Sequence, residues 1–477
     1  MKTTNICMCV IGLCLSLFII SRPVFAFESQ KVTTSQAVTM YNEDIDLVIL
    51  FKDGSINKAV EKIVTNSGGK IINEFSDLGG IEVKCPINLI ATIKSENSVQ
   101  SLAPNHEIKL SSNEITTEAF TESAEDSSNI SDDLYEKYQW DIKRVTNNGE
   151  SFNLNSGNHS VIVGIIDSGI DTIHPDLVNN FLGGKNLVPA NFEDDSSEIG
   201  DPEDVTDRIG HGTSVAGEIA GNGRIKGVAP NIGFKSYRVF NQKGDTTATI
   251  CASAIIDATN DGVKVINLSL GSYDLKGKCY WTDSTTGIKY YLGSDMAEYS
   301  LLKRAIKYAV SNGVTVVVAA GNEKQNCSDK KNLTNYLNNK YSSDGFIYDG
   351  LTYESPGTIK GVITVSATGK DDNLASYSNY GDDFIDISAP GGDTSVTKDK
   401  SNLCFTAYKN SQYTYQQGTS FSAPKVSAAA ALIICKNNKL TPKEVAKKIY
   451  KTADKLDSDK HAEYYGAGML NAYNAVK

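Results

Sequence analysis

The chain is 477 residues long, 40% hydrophobic and 22% charged, with a formal net charge of −11 at pH 7. That length exceeds one average domain and supports a large core, and the composition is ordinary for a soluble globular protein. The acidic balance argues against nucleic acid as a partner and is compatible with a basic substrate.

Residues 1–26 read as a secretory signal peptide: Lys2 precedes an apolar run over 6–20, and Val24, Phe25 and Ala26 stand before a cleavage point. The run is shorter than the ~20 apolar residues that a spanning helix needs. No later stretch is long enough to span and no hydrophobic tail follows, so a secreted, extracellular protein without a stable membrane anchor is expected. Cys7, Cys9 and Cys14 leave with the signal peptide. Cys251 and Cys435 sit in apolar helical runs and read as buried thiols, whereas Cys279 and Cys327 lie in polar segments, where a bridge is left open. The absence of CxxC and HExxH disfavours a cysteine-ligated zinc site or a zincin.

Within 27–110 the pattern is compact. Residues 47–51, 70–75, 80–84 and 99–103 read as strands and 56–65 and 86–94 as helices, a small α+β unit. Residues 111–133 are rich in Ser, Thr, Glu and Asp, an exposed acidic linker open to cleavage. Over 134–477 apolar strands (161–166, 234–239, 263–268, 314–319, 361–366 and 384–387) alternate with helical patterns (213–220, 247–261 and 296–312). This is the signature of an α/β fold with a mostly parallel sheet and helices on both faces. Function in such sheets gathers at the carboxyl ends of the strands.

Polar residues stand at those ends. Asp167 closes the strand in IIDSGID, His211 opens a helix in GHGTSVAG, and Asn322 follows a strand in AAGN. Ser420, in GTSFSAP, sits at a bend before a run of small residues whose helix turns its free N–H groups toward the hydroxyl. Each has a plain structural reading when taken singly: a turn aspartate, a structural histidine, a turn asparagine. Together they form a constellation, since a serine hydroxyl needs a base to become a nucleophile.

These motifs, in the order Asp, His, Ser, resemble those of the subtilisin-like serine proteases, and the resemblance covers residues 135–477. It implies that His211 takes the Ser420 proton, that Asp167 orients the imidazole, and that Asn322 and the Ser420 N–H hold the oxyanion. It further implies that Ser269, Leu270 and Gly271, with Ala319, Ala320 and Gly321, line the substrate groove. The α+β unit resembles the inhibitory, chaperone-like propeptide of secreted members, which would occupy the groove until cut near the linker. The chemistry requires no cofactor. GNGRIKG leaves little room for the calcium loop that some members carry after the histidine helix; because it follows a helix rather than a strand, it is a poor nucleotide motif. The acidic loop holding Asp194, Asp195, Asp201 and Asp204 leaves two readings open, a structural calcium site or a solvated loop.

Two segments, 272–298 and 323–353, are long for a minimal member, flank the groove, and should set specificity. Asp274, Asp283, Asp295, Asp329, Asp344, Asp349 and Glu354 are candidates to face a basic side chain before the scissile bond. GTSFSAP, the segment after SLG and YESPGTIKGVITVSAT are most similar to the lantibiotic leader peptidase branch, which implies a short, flexible precursor peptide as substrate, cut after a basic or otherwise defined residue. A broad extracellular protease is the alternative; an inactive binding protein on a protease scaffold is disfavoured because all four positions are filled.

Overall fold

The structure, a computed structural model, describes residues 44–110, 133–282, 287–294, 296–395, 398–456 and 459–477. The segment read as a signal peptide and all but the last residue of the linker lie outside them, as do Asp283 and Asp295. The described residues form one compact body.

The N-terminal part carries β1 (Asp44–Phe51), β2 (Lys70–Phe75), β3 (Gly80–Pro86) and β4 (Val99–Pro104) in an antiparallel sheet ordered β2-β3-β1-β4, with helices Lys58–Asn66 and Ile90–Ser95. Apolar residues run consecutively through β1 because both of its faces are covered. Leu47, Ile49 and Phe51 pack with Val60, Val64 and Ile93 of the unit's own helices. Val48 and Leu50 pack instead with Leu301, Leu302 and Ala305 of helix Met296–Ser311. A short β5 (Glu107–Lys109) continues the chain beyond this sheet.

In the larger part, β6 (Ile162–Asp167), β7 (Phe181–Asn186), β8 (Gly233–Arg238), β10 (Val265–Leu268), β13 (Thr315–Ala319), β15 (Val362–Thr368) and β16 (Ile387–Pro390) build a seven-stranded sheet, ordered β16-β15-β13-β10-β6-β8-β7, in which every pairing is parallel. Strand alternation distributes its residues between two cores. Val163, Ile165, Val265 and Val317 face helices His211–Ala220 and Thr419–Lys436, while Ile166, Ile266, Val316 and Val318 face helices Ala248–Asn260 and Met296–Ser311. The chain leaves β6 toward β7 and β8, then crosses to β10 on the other side. The resulting crevice, at the carboxyl ends of β6 and β10, is where such sheets take ligands.

Several elements depart from the sequence reading. Residues 384–386 lie outside the sheet, with Phe384 N–H donating to Gly381 O, and the strand begins only at Ile387. The glycine-bearing β7 and the hairpin of β17 (Cys404–Tyr408) and β18 (Gln412–Gln416) carried no clear pattern. The two insertions fold together: β11 (Ser272–Thr282) pairs with β12 (Lys289–Gly293) and, along ten residue pairs from Ser272↔Ser355 to Trp281↔Phe346, with β14 (Phe346–Ser355). Helix Lys330–Tyr341, capped by Asp329, packs beside them. Cys279 and Cys327 are buried in different clusters, and no disulfide joins them.

Candidate active site

Asp167 ends β6 with no exposure, and His211 is the first residue of its helix. His211 Nδ1 lies 2.7 Å from Asp167 Oδ1, which also accepts the Ser168 N–H at 2.7 Å. The helix can come this close because Gly212 lies against Gly169, where a Cβ would stand 2.2 Å from the Gly169 carbonyl oxygen. The imidazole packs on Phe421, ring centroids 5.4 Å apart, next to Ser420.

Ser420 is the second residue of helix Thr419–Lys436, whose cap, Gly418, has φ 146°, a region that favours glycine. Pro424 lies inside this helix and has no N–H to give the Ser420 carbonyl one turn back. The Ser269 hydroxyl donates to that carbonyl instead, at 2.8 Å, and itself accepts from Asn267 Nδ2 at 2.9 Å, while Ser427 Oγ donates to Asn267 Oδ1 at 2.8 Å. The helix that carries Ser420 is thus tied to the end of β10 through a proline that local propensity alone would have penalised. The Ser420 hydroxyl is 3.3 Å from the Ser269 carbonyl oxygen.

Asn322 follows β13. Its Oδ1 accepts from the Thr419 N–H at 2.9 Å and the Thr419 hydroxyl at 3.0 Å, so the amide orientation is set and Nδ2 remains as the donor end. A cavity of about 40 Å³ opens beside Ser420, lined by Ser269, Leu270, Gly271, Ala319, Gly321 and Asn322. Of the six groove residues read from sequence, only Ala320 is absent from its walls: it is buried with Cys327, Leu333 and Phe384.

Two carboxylates complete the lining. Glu323 accepts from the Tyr273 hydroxyl at 2.8 Å, the Asn322 N–H at 3.0 Å and Asn379 Nδ2 at 2.9 Å. Glu354 is 1% exposed, and no side chain donates to its carboxylate. Burial pushes its carboxyl well above the ordinary range, with Glu323 adding to the effect; the N–H groups of Gly357 and Thr358 offset this only in part. Among the described acidic candidates named from sequence, Glu354 alone lines this cavity. Glu323 and Thr419 were missed, although each adjoins a residue already singled out.

Four carboxylates of the acidic loop accept from protein donors. Glu198 holds Arg238 through two bonds of 2.8 and 2.7 Å, Asp204 pairs with Arg208 at 2.5 Å, Asp195 accepts from the Ser197 hydroxyl at 2.7 Å, and Asp201 accepts the Glu203 N–H at 3.0 Å. Asp194 is exposed. Among the described residues the only convergent trio of acid or thiol ligands is Asp141, Glu218 and Cys404. Lys425 Nζ fills its centre, 2.8 Å from Asp141 and 2.7 Å from Glu218.

The model of the subtilase family matches residues 158–468. The chain is 40% identical to the nisin leader peptide-processing serine protease of Lactococcus lactis subsp. lactis over 65% of its own length and 45% of that protein's, so it spans less than half of this relative. It is 30% identical to the epidermin leader peptide-processing serine protease of Staphylococcus epidermidis over 98% of both. The crystal structure of the corresponding epidermin enzyme from Staphylococcus aureus superimposes with a TM-score of 0.75 at 31% identity, covering 91% of this chain and 98% of that one.

Proposed function

Because the chain belongs to the subtilase family of serine peptidases, we propose that it is a secreted endopeptidase that cleaves peptide bonds through Asp167, His211 and Ser420 and removes the leader of a lantibiotic precursor. The observation that carries the catalytic reading is the buried 2.7 Å contact of Asp167 with an imidazole packed against the residue after Ser420. His211 takes the Ser420 proton as the hydroxyl attacks the carbonyl, then returns it to the leaving amine, while Asp167 fixes the ring and stabilises its cationic form. Asn322 Nδ2 and the N–H at the start of the Ser420 helix receive the oxyanion. Calcium has no step in this chemistry.

The choice of substrate rests on the relatives' leader-processing roles and on the cavity. A buried carboxylate met only by the backbone N–H groups of Gly357 and Thr358 is costly, and a basic side chain before the scissile bond would supply both charge and further hydrogen bonds to Glu354.

The N-terminal unit is read as an inhibitor that is cut away. In support, β5 pairs with β9 (Asp245–Thr247), the Leu110 N–H donates to Gly244 O at 2.9 Å, and Lys109 and Leu110 reach the cavity at Ser420. Arg304 clamps the unit, donating to Phe51 O at 2.8 Å, Gly79 O at 3.0 Å, Gln100 Oε1 at 2.7 Å and the Leu78 carbonyl.

Purified Ser420→Ala protein decides between protease and binding protein: it should stay folded, keep its N-terminal unit, and leave a basic-site peptide intact. Turnover in that variant would refute the assignment. A casein digest cut at many bonds would favour the broad protease over the leader peptidase.

A further inference from the structure

The insertion sheet presents more apolar surface than its own packing uses. Tyr273, Leu275, Cys279 and Trp281 share one face of β11, and Tyr348 and Phe346 lie across from Cys279 and Trp281 on β14. This face merges with the interior of the N-terminal unit in a single cluster. Between the two lies a cavity of about 610 Å³, walled by Trp281, Leu292, Phe346 and Tyr348 on one side and by Ile45 and Ile108 on the other. It adjoins the space beside Ser420, since Gly271, Ser272, Tyr273 and Glu323 line both. Chain already runs along it: residues 104–109 border the cavity before Lys109 and Leu110 reach the nucleophile. A chain approaching Ser420 from its N-terminal side therefore passes the aromatic face first.

We propose that, once the N-terminal unit is gone, this face docks the upstream part of the peptide substrate, taking apolar side chains that lie N-terminal to the residues paired with β9. The proposal rests on the protease and propeptide readings above. An aromatic surface of this size, contiguous with a strand edge that binds extended chain, suits a peptide carrying apolar residues at alternate positions. The face then has two successive occupants, the chain's own N-terminal unit and the substrate's upstream segment.

The test uses mature enzyme prepared from the full chain and three fluorogenic substrates that share a tetrapeptide ending in arginine. One has no extension, one an eight-residue extension with Ile or Leu at alternate positions, and one a Gly/Ser extension of equal length. The apolar extension should raise kcat/KM roughly tenfold over the other two, the yield of burying one or two apolar side chains. That ratio should fall toward unity in Trp281→Ala and Phe346→Ala. As a check that needs no variant, the apolar extension alone should compete with the long substrate and spare the tetrapeptide. Equal kcat/KM for both extensions in the parent, or a ratio unmoved by the substitutions, overturns the docking site while leaving the protease reading intact. Hydrolysis of none of the three overturns both.

Discussion

Two regions meet at Ser420 and are built on opposite terms. In the corner around Ser420, small residues let backbones touch, and Asp167, Asn322, Ser269 and Thr419 are held by named hydrogen bonds. The insertion sheet is aromatic and partly exposed, with Ile347, Leu351 and Tyr291 open to solvent, and it ends at a buried carboxylate, Glu354, to which no side chain donates. On the proposed reading, the contrast assigns reactivity to a corner closed on itself and selectivity to a surface left incomplete.

Substitutions on each side should separate these roles. In the corner, His211→Ala should lower kcat by about 10⁴ to 10⁶ with every substrate alike, because base and nucleophile act as a unit; single-turnover assays on a matched pair of basic-site and neutral-site peptides measure it. Asn322→Ala should cost about 10² to 10³ in kcat with little change in KM, as expected for a donor that acts in the transition state. On the other side, Glu354→Gln should lower kcat/KM by about 10- to 100-fold for a substrate with arginine before the cut, and far less for one with norleucine, since a charge-assisted hydrogen bond is lost. Equal losses on both would erase the distinction between the regions.

Glu354 also gives the comparison a stability readout. Its folded carboxyl is raised by burial and then by Glu323, so the folded state keeps a proton that the unfolded chain gives up as pH climbs through the ordinary carboxylate range. Stability contributed by this group is therefore present at low pH and declines as pH rises past that range. Glu354→Gln should raise the melting temperature at neutral pH, with the gain vanishing in acid, while activity toward arginine falls. The smallest effect is expected from Arg304→Ala, which should speed loss of the N-terminal unit a few-fold, as followed by gel, without altering the specificity of the mature enzyme; each of its carbonyl contacts adds only modestly.

The geometry of the corner was legible because its signals are local. Asp167, His211 and Ser420 sit in short motifs in which glycines mark close backbone approach, and six of the seven sheet strands overlap apolar runs. The insertions were opaque because their structure is a pairing of β11 with β14, more than sixty residues apart in the chain, and antiparallel register across that distance leaves no local trace. Tyr-rich segments with interspersed charges therefore read as polar excursions. Pro424 shows the same limit at smaller scale: the residue that compensates for its missing N–H, Ser269, comes from another strand end.

Labelling Ser420 puts the central claim to the most direct test. Mature enzyme treated with a fluorophosphonate should take up one adduct, located by peptide mass mapping to the segment holding GTSFSAP, with labelling lost in Ser420→Ala and strongly slowed in His211→Ala. An adduct elsewhere, or labelling that survives Ser420→Ala, would contradict the account.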